Sequence, residues 1–63
     1  MIMRFEFITK TEKYKSLNGY KAYAKSPYSF LAHCSLKSNN KFSYQQLVKA
    51  LRLGYIYVEY TFN

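Results

Sequence analysis

The sequence predicts an α+β fold in one small domain, residues 1 to 63. Its antiparallel or mixed sheet is built from an N-terminal strand, a central Asn-Gly hairpin and a C-terminal strand, packed on one or two short helices. Three observations carry that class. Apolar residues alternate with polar ones at both ends of the chain, Asn18-Gly19 sits between two strand-like runs, and a capped amphipathic segment spans residues 43 to 53. Period two marks a strand with one face on the core, and the 3, 4, 7 spacing marks a helix.

Met1, Met3, Phe5 and Phe7 alternate with Ile2, Arg4, Glu6 and Ile8, so the first set is expected to be core. The polar run TKTEKYK leaves this strand or begins another. An Asn-Gly pair tolerates the positive φ angles of a type I′ turn, which makes Asn18-Gly19 a two-residue hairpin loop between KYKSL and YKAYA. In that register Tyr14 faces Tyr23 on a side shared with Ser16, Lys21 and Lys25, giving the hairpin one basic, aromatic face.

The stretch SPYSFLAHCSLKSNN has two readings. As a helix, Ser26 caps it, Pro27 takes the first helical position, and Phe30, Leu31 and Cys34 share a face. As a strand, Tyr28, Phe30, Ala32, Cys34 and Leu36 alternate with Ser29, Leu31, His33, Ser35 and Lys37, and Leu31 is the misfit. The Ser-Pro start and the lack of β-branched residues tip the balance to helix.

Ser43 followed three residues later by Gln46 makes a capping box, with Phe42 and Leu47 placed to close a hydrophobic staple across it. Tyr44, Leu47, Val48 and Leu51 form the expected core stripe of this helix, and Gly54 supplies its left-handed end. Beyond it, Ile56, Val58, Tyr60 and Phe62 are expected to be core, with Tyr55, Tyr57, Glu59 and Thr61 facing outward or toward a neighbouring strand. The two terminal strands are expected to pair at the centre of the sheet.

Composition bounds the function. A chain of 63 residues buries only about 60% of its unfolded surface, too little to enclose a large active site. Its 49% hydrophobic content, with two Gly and one Pro, argues for a folded domain. Ten Lys and Arg stand against three acids, Glu6, Glu12 and Glu59, for a formal charge of +7. No acid lies between Lys13 and Val58, a span that carries Lys13, Lys15, Lys21, Lys25, Lys37, Lys41, Lys49 and Arg52. Such a one-sign field raises the local concentration of a polyanion; the plainer alternative is a solubilising surface. A lone Cys34 forms no internal disulfide and reads as a small core residue in a reducing compartment. No run approaches the roughly 18 apolar residues of a membrane span, and MIMRFEFIT is too short and charged for a signal peptide, so a cytoplasmic protein is expected. The richness in Lys, Asn, Tyr and Phe is the usage of an AT-rich coding sequence, as in phages and mobile elements.

Catalytic chemistry finds little footing. His33 and Cys34 are neighbours whose side chains diverge on a helix or strand, and one His with one Cys falls short of a zinc ligand set. No glycine-rich phosphate loop is present. The expectation is a non-enzyme with no cofactor or metal; a metal-free ribonuclease using His33 with lysines and tyrosines is the remaining catalytic alternative.

Binding is better supported. Lys41, Gln45, Lys49 and Arg52 recur at spacings of 4, 4 and 3 on the face opposite the apolar stripe, where cations meet phosphates and an amide reads a base edge. Tyr55 and Tyr57 add rings on which bases stack. The candidate partner-binding residues are therefore Lys21, Tyr23, Lys25, Lys41, Gln45, Lys49, Arg52, Tyr55 and Tyr57, with the hairpin lysines and the helix stripe forming one cationic surface. The two helices ending in SYQQLVKALR faintly resemble a helix-turn-helix, whose small residue and tight spacing are missing from the connection SNNKF. QLVKALRLGYIYVEYTF looks a little like small toxin ribonucleases of double-stranded-RNA-binding-like fold, but their glycine-serine-histidine motif is absent, so no catalytic residue carries over.

Two function classes follow. One is a small non-catalytic basic protein acting on nucleic acid or a nucleoprotein complex, of the phage or mobile-element regulator kind. The other is a protein-directed inhibitor or adaptor, anti-CRISPR-like or host-enzyme-binding, whose tyrosines and Arg anchor on an acidic or nucleoprotein surface of a host protein. A homodimer that buries strand edges or exposed tyrosines fits the small core.

Overall fold

The computed structural model describes residues 2–61. Its elements run β1 (Met3–Thr9), a single 3-10 turn (Lys15–Leu17), β2 (Lys21–Ala24), α1 (Pro27–Lys37), α2 (Tyr44–Leu53) and β3 (Ile56–Thr61). The expected α+β class is what is seen: a three-stranded antiparallel sheet of order β2-β1-β3 with both helices on one face. β1 is the central strand and β3 an edge strand, so the two terminal segments do pair, antiparallel, from Arg4 opposite Thr61 to Thr9 opposite Ile56.

Period two sorts β1 as expected. Phe5 and Phe7 are fully buried, and Arg4 is exposed. Phe30 of α1 lies over this strand, its ring 5.6 Å from Phe5 and 5.9 Å from Tyr20. Leu31, Cys34, Leu47, Ala50 and Ile56 join the same core, with Tyr14, Leu17, Ala24 and Phe42. Met1 and Phe62, expected on the same face, lie outside the described residues.

The Asn-Gly hairpin takes a different form. Residues before Asn18 form the 3-10 turn and not a strand, and Asn18 (φ −60, ψ 130) followed by Gly19 (φ 85), with Tyr20 N–H bonded to the Leu17 carbonyl at 3.0 Å, is a type II turn. β2 pairs with β1, so Tyr23 sits opposite Arg4, and Tyr14 is buried against Phe42 with ring centroids 4.9 Å apart. The Asn18 side chain explains the change: its Oδ1 accepts the Thr9 N–H at 2.9 Å, tying the turn to the end of β1.

The SPYSF stretch is a helix. Ser26 Oγ accepts the Ser29 N–H at 3.1 Å with Pro27 in the first turn. Its exit is held by Ser35, whose hydroxyl donates to the Phe42 carbonyl at 2.7 Å, and by Ser38 Oγ, which donates to the Ser35 carbonyl at 2.7 Å. Asn39 (φ 56) and Asn40 (φ 63) turn the chain in left-handed conformations that Asn accepts more readily than other side chains. α2 starts where the capping box placed it, with Ser43 Oγ accepting the Gln46 N–H at 3.1 Å, and ends at Gly54 (φ 85). Phe42 and Leu47, the two halves of the staple, are both buried.

Two positions leave the expected core. Tyr44 is 42% exposed because, at the first helical position, it lies at the rim, and α2 turns Leu47 and Ala50 inward. Tyr60 is 56% exposed although it shares the inner face, because the helices do not cover that end of β3; its ring lies 6.0 Å from Phe5.

Candidate nucleic-acid interface

The outer face of α2 is flanked by two hollows. The larger, about 600 Å³, is lined by Tyr28 from α1 and by Tyr44, Gln45, Val48, Lys49 and Arg52 from α2. The smaller, about 330 Å³, is lined by Lys13, Tyr14, Gln46, Lys49, Ala50, Leu53 and Tyr55. Lys49 borders both, so the two form one surface across the helix.

The local structure explains this arrangement. Ser26 and Ser43 cap the two helices, and each places a tyrosine within its first turn, Tyr28 and Tyr44, and both line the larger hollow. Half-buried Val48 adds an apolar side chain to the same lining. Gln45, Lys49 and Arg52 rise from the same side of α2, as their 4 and 3 spacing dictates. The hollow therefore combines two rings, two cations and one amide that both donates and accepts.

Three lysines stand over aromatic rings: Lys13 over Tyr14 at 5.6 Å, Lys41 over Phe42 at 5.4 Å and Lys37 over Tyr20 at 5.8 Å. Such contacts orient a side chain while leaving its ammonium hydrated. Lys41 accordingly departs from the expected helical stripe. It precedes the Ser43 cap, outside α2, and lines neither hollow.

The remaining expected residues divide between two sides. Tyr55 joins the smaller hollow, its N–H bonded to the Ala50 carbonyl at 2.9 Å and its own carbonyl accepting the Thr9 hydroxyl at 2.9 Å. Lys21, Tyr23 and Tyr57 lie on the sheet face turned away from the helices, in register with Glu6, Arg4 and Ile8 respectively. Lys25 follows β2 at its end. The hairpin lysines and the helix stripe thus do not form one cationic surface; the sheet separates them. On the outer sheet face Lys21 shares its row with Glu6 and Glu59, which face each other across β1 and β3, and Arg4 lies in the next row on that face, between Tyr23 and Thr61. That face balances two cations with two acids, whereas the α2 face carries cations without acids.

Tyr28, Tyr44, Val48, Lys13 and Tyr14 belong to this surface and were not anticipated. The signal for the first two was present as a tyrosine just inside each serine cap, in SPY and SY. Their convergence depends on how the helices pack, which local pattern does not encode. Lys13 and Tyr14 reach α2 only because the 3-10 turn replaces the expected strand.

His33 is exposed on α1 and Cys34 is buried beside it, pointing the other way. Burial pushes the Cys34 thiol up to about 12, so it stays protonated and unreactive at neutral pH. Among the described residues, no group of three His, Cys, Asp or Glu could hold a metal ion, and no helix is long and apolar enough to cross a membrane. No family model, curated protein or solved structure matches the chain.

Proposed function

We propose that this protein is a non-catalytic binder of single-stranded nucleic acid, acting on nucleic acid or a nucleoprotein complex as a small regulator of the phage or mobile-element kind. The observation that carries the reading is the hollow lined together by Tyr28, Tyr44, Gln45, Lys49 and Arg52. Rings stack on the π-face of any base, cations meet the adjoining phosphates, and an amide bonds to base edges. Exposed rings favour a single strand: Tyr28 and Tyr44 offer faces to unstacked bases, whereas a helix that reads a duplex must project into the major groove.

The same residue types serve as anchors in protein interfaces, where Tyr and Arg are enriched. A protein-directed inhibitor or adaptor is therefore the second reading. His33 lines neither hollow, and a ribonuclease reading draws no support from the site.

Fluorescence anisotropy with labelled oligo(dT), oligo(rU) and a duplex of equal length at 50 mM salt tests the proposal. Single strands are expected to bind more tightly than duplex. Tyr44→Ala, at an exposed position, is expected to weaken binding by about 1–3 kcal/mol, the worth of one stacked base. Equal single- and double-strand affinity with no effect of Tyr44→Ala refutes single-strand binding. Retention of a protein from nuclease-treated host lysate, lost in Tyr44→Ala and Arg52→Ala, would then favour the second reading.

A further inference from the structure

We propose that the free edge of β3 is a pairing site for a second copy of this chain, joined antiparallel about Val58 into a six-stranded sheet. The inference is independent of what α2 binds. An edge strand turns half of its backbone N–H and C=O groups away from its sheet, and folded proteins usually blunt such edges with Lys, Pro, bulges or short length. β2, the other edge, is blunted: it has four residues, contains Lys21 and is followed by Lys25. β3 is not. It runs six residues, IYVEYT, in unbroken register with β1 and contains neither Pro nor a cation.

Charge selects the partner. All ten Lys and Arg lie at or before Arg52, and from Leu53 onward Glu59 is the sole charged residue. A protein of net charge +7 repels its own copies over most of its surface, and β3 is the strand along which two copies meet without opposing cations. A polyanion, by contrast, gains nothing there. The inner side of the same edge is also incompletely covered: Val58 is only half-buried, and Tyr60 is 56% exposed although it faces the helix side.

The register follows from the pleat. A two-fold axis perpendicular to the sheet keeps both helix layers on one side, and directly paired residues then point the same way. Centring the pair on Glu59 would set two carboxylates against each other, which is destabilising. Centring it on Val58 sets Val58 against the partner's Val58, Ile56 against the partner's Tyr60, and Tyr57 against the partner's Glu59. Exposed Tyr60 gains an apolar neighbour, and no like charges are opposed. The two α2 surfaces then face the same side.

Sedimentation equilibrium from about 5 to 500 µM, with cysteine cross-linking read by peptide mass spectrometry, tests this. Tyr57 and Glu59 are exposed, so single Tyr57→Cys and Glu59→Cys variants keep the core intact. The expected result is a concentration-dependent dimer, with a 57–59 disulfide forming in the mixed variants at several times the yield of Glu59→Cys alone. A monomer throughout overturns the proposal, as does a dimer in which Glu59→Cys preferentially links to itself or no 57–59 link forms.

Discussion

Salt dependence turns the proposed interface into a number. Three cations line the two hollows, Lys13, Lys49 and Arg52. If each neutralises one phosphate of a single strand, log Kd rises with log salt at a slope of about 0.7 per contact, so about 2 in total. Raising salt from 50 to 200 mM is then expected to weaken binding about 18-fold. Arg52→Ala removes one contact and lowers the slope to about 1.4, for a loss of about 7-fold over the same range. Lys21→Ala serves as the control, since Lys21 lies on the opposite side of the sheet beside Glu6 and is expected to leave the slope unchanged. Anisotropy titrations of a fluorescent oligo(dT) at four salt concentrations measure all three slopes. An Arg52→Ala slope equal to wild type, or a slope that falls in Lys21→Ala instead, would refute the placement of the interface on α2.

Two further outcomes concern the scaffold. Gly54 ends α2 at φ 85 with open space where a Cβ would project, so Gly54→Ala is a test of backbone strain alone; a loss of about 1–2 kcal/mol is expected in urea unfolding. Burial holds the Cys34 thiol at about 12 in the folded chain, against 9.0 for a free thiol. The folded state therefore retains a proton that the unfolded state releases, so this stabilisation is complete below pH 9.0 and is lost progressively as pH rises toward about 12. Cys34→Ala is expected to have a flatter stability profile than wild type between pH 9 and 11, by chemical denaturation; parallel profiles would contradict the assignment.

Much of the fold is legible in the sequence because its signals are local. Ser26-Pro27, Ser43 with Gln46, and Gly54 each satisfy or terminate a helix through bonds within a few residues, and the alternation around Phe5 and Phe7 needs no distant information. The misreadings involve distant contacts. Asn18-Gly19 suits more than one turn type, and the choice rests on Asn18 reaching the Thr9 N–H, nine residues away. Tyr44 and Tyr60 fit their apolar stripes, but exposure depends on how far the neighbouring elements extend over them. The site was legible in part. Gln45, Lys49 and Arg52 sit together because helical spacing requires it, whereas Tyr28 joins them through the packing of α1 on α2. Lys21 and Tyr23 fall on the opposite side because the register of β2 against β1, and not a local hairpin, sets their direction.

The most direct measurement is an amide chemical-shift titration of isotope-labelled protein with oligo(dT) at low salt. Shifts concentrated at Tyr28, Tyr44, Gln45, Val48, Lys49 and Arg52 are expected, with the outer sheet face at Arg4, Lys21 and Tyr57 unchanged. Shifts confined to that sheet face, or none at millimolar oligonucleotide, would contradict the reading of α2 as the binding surface.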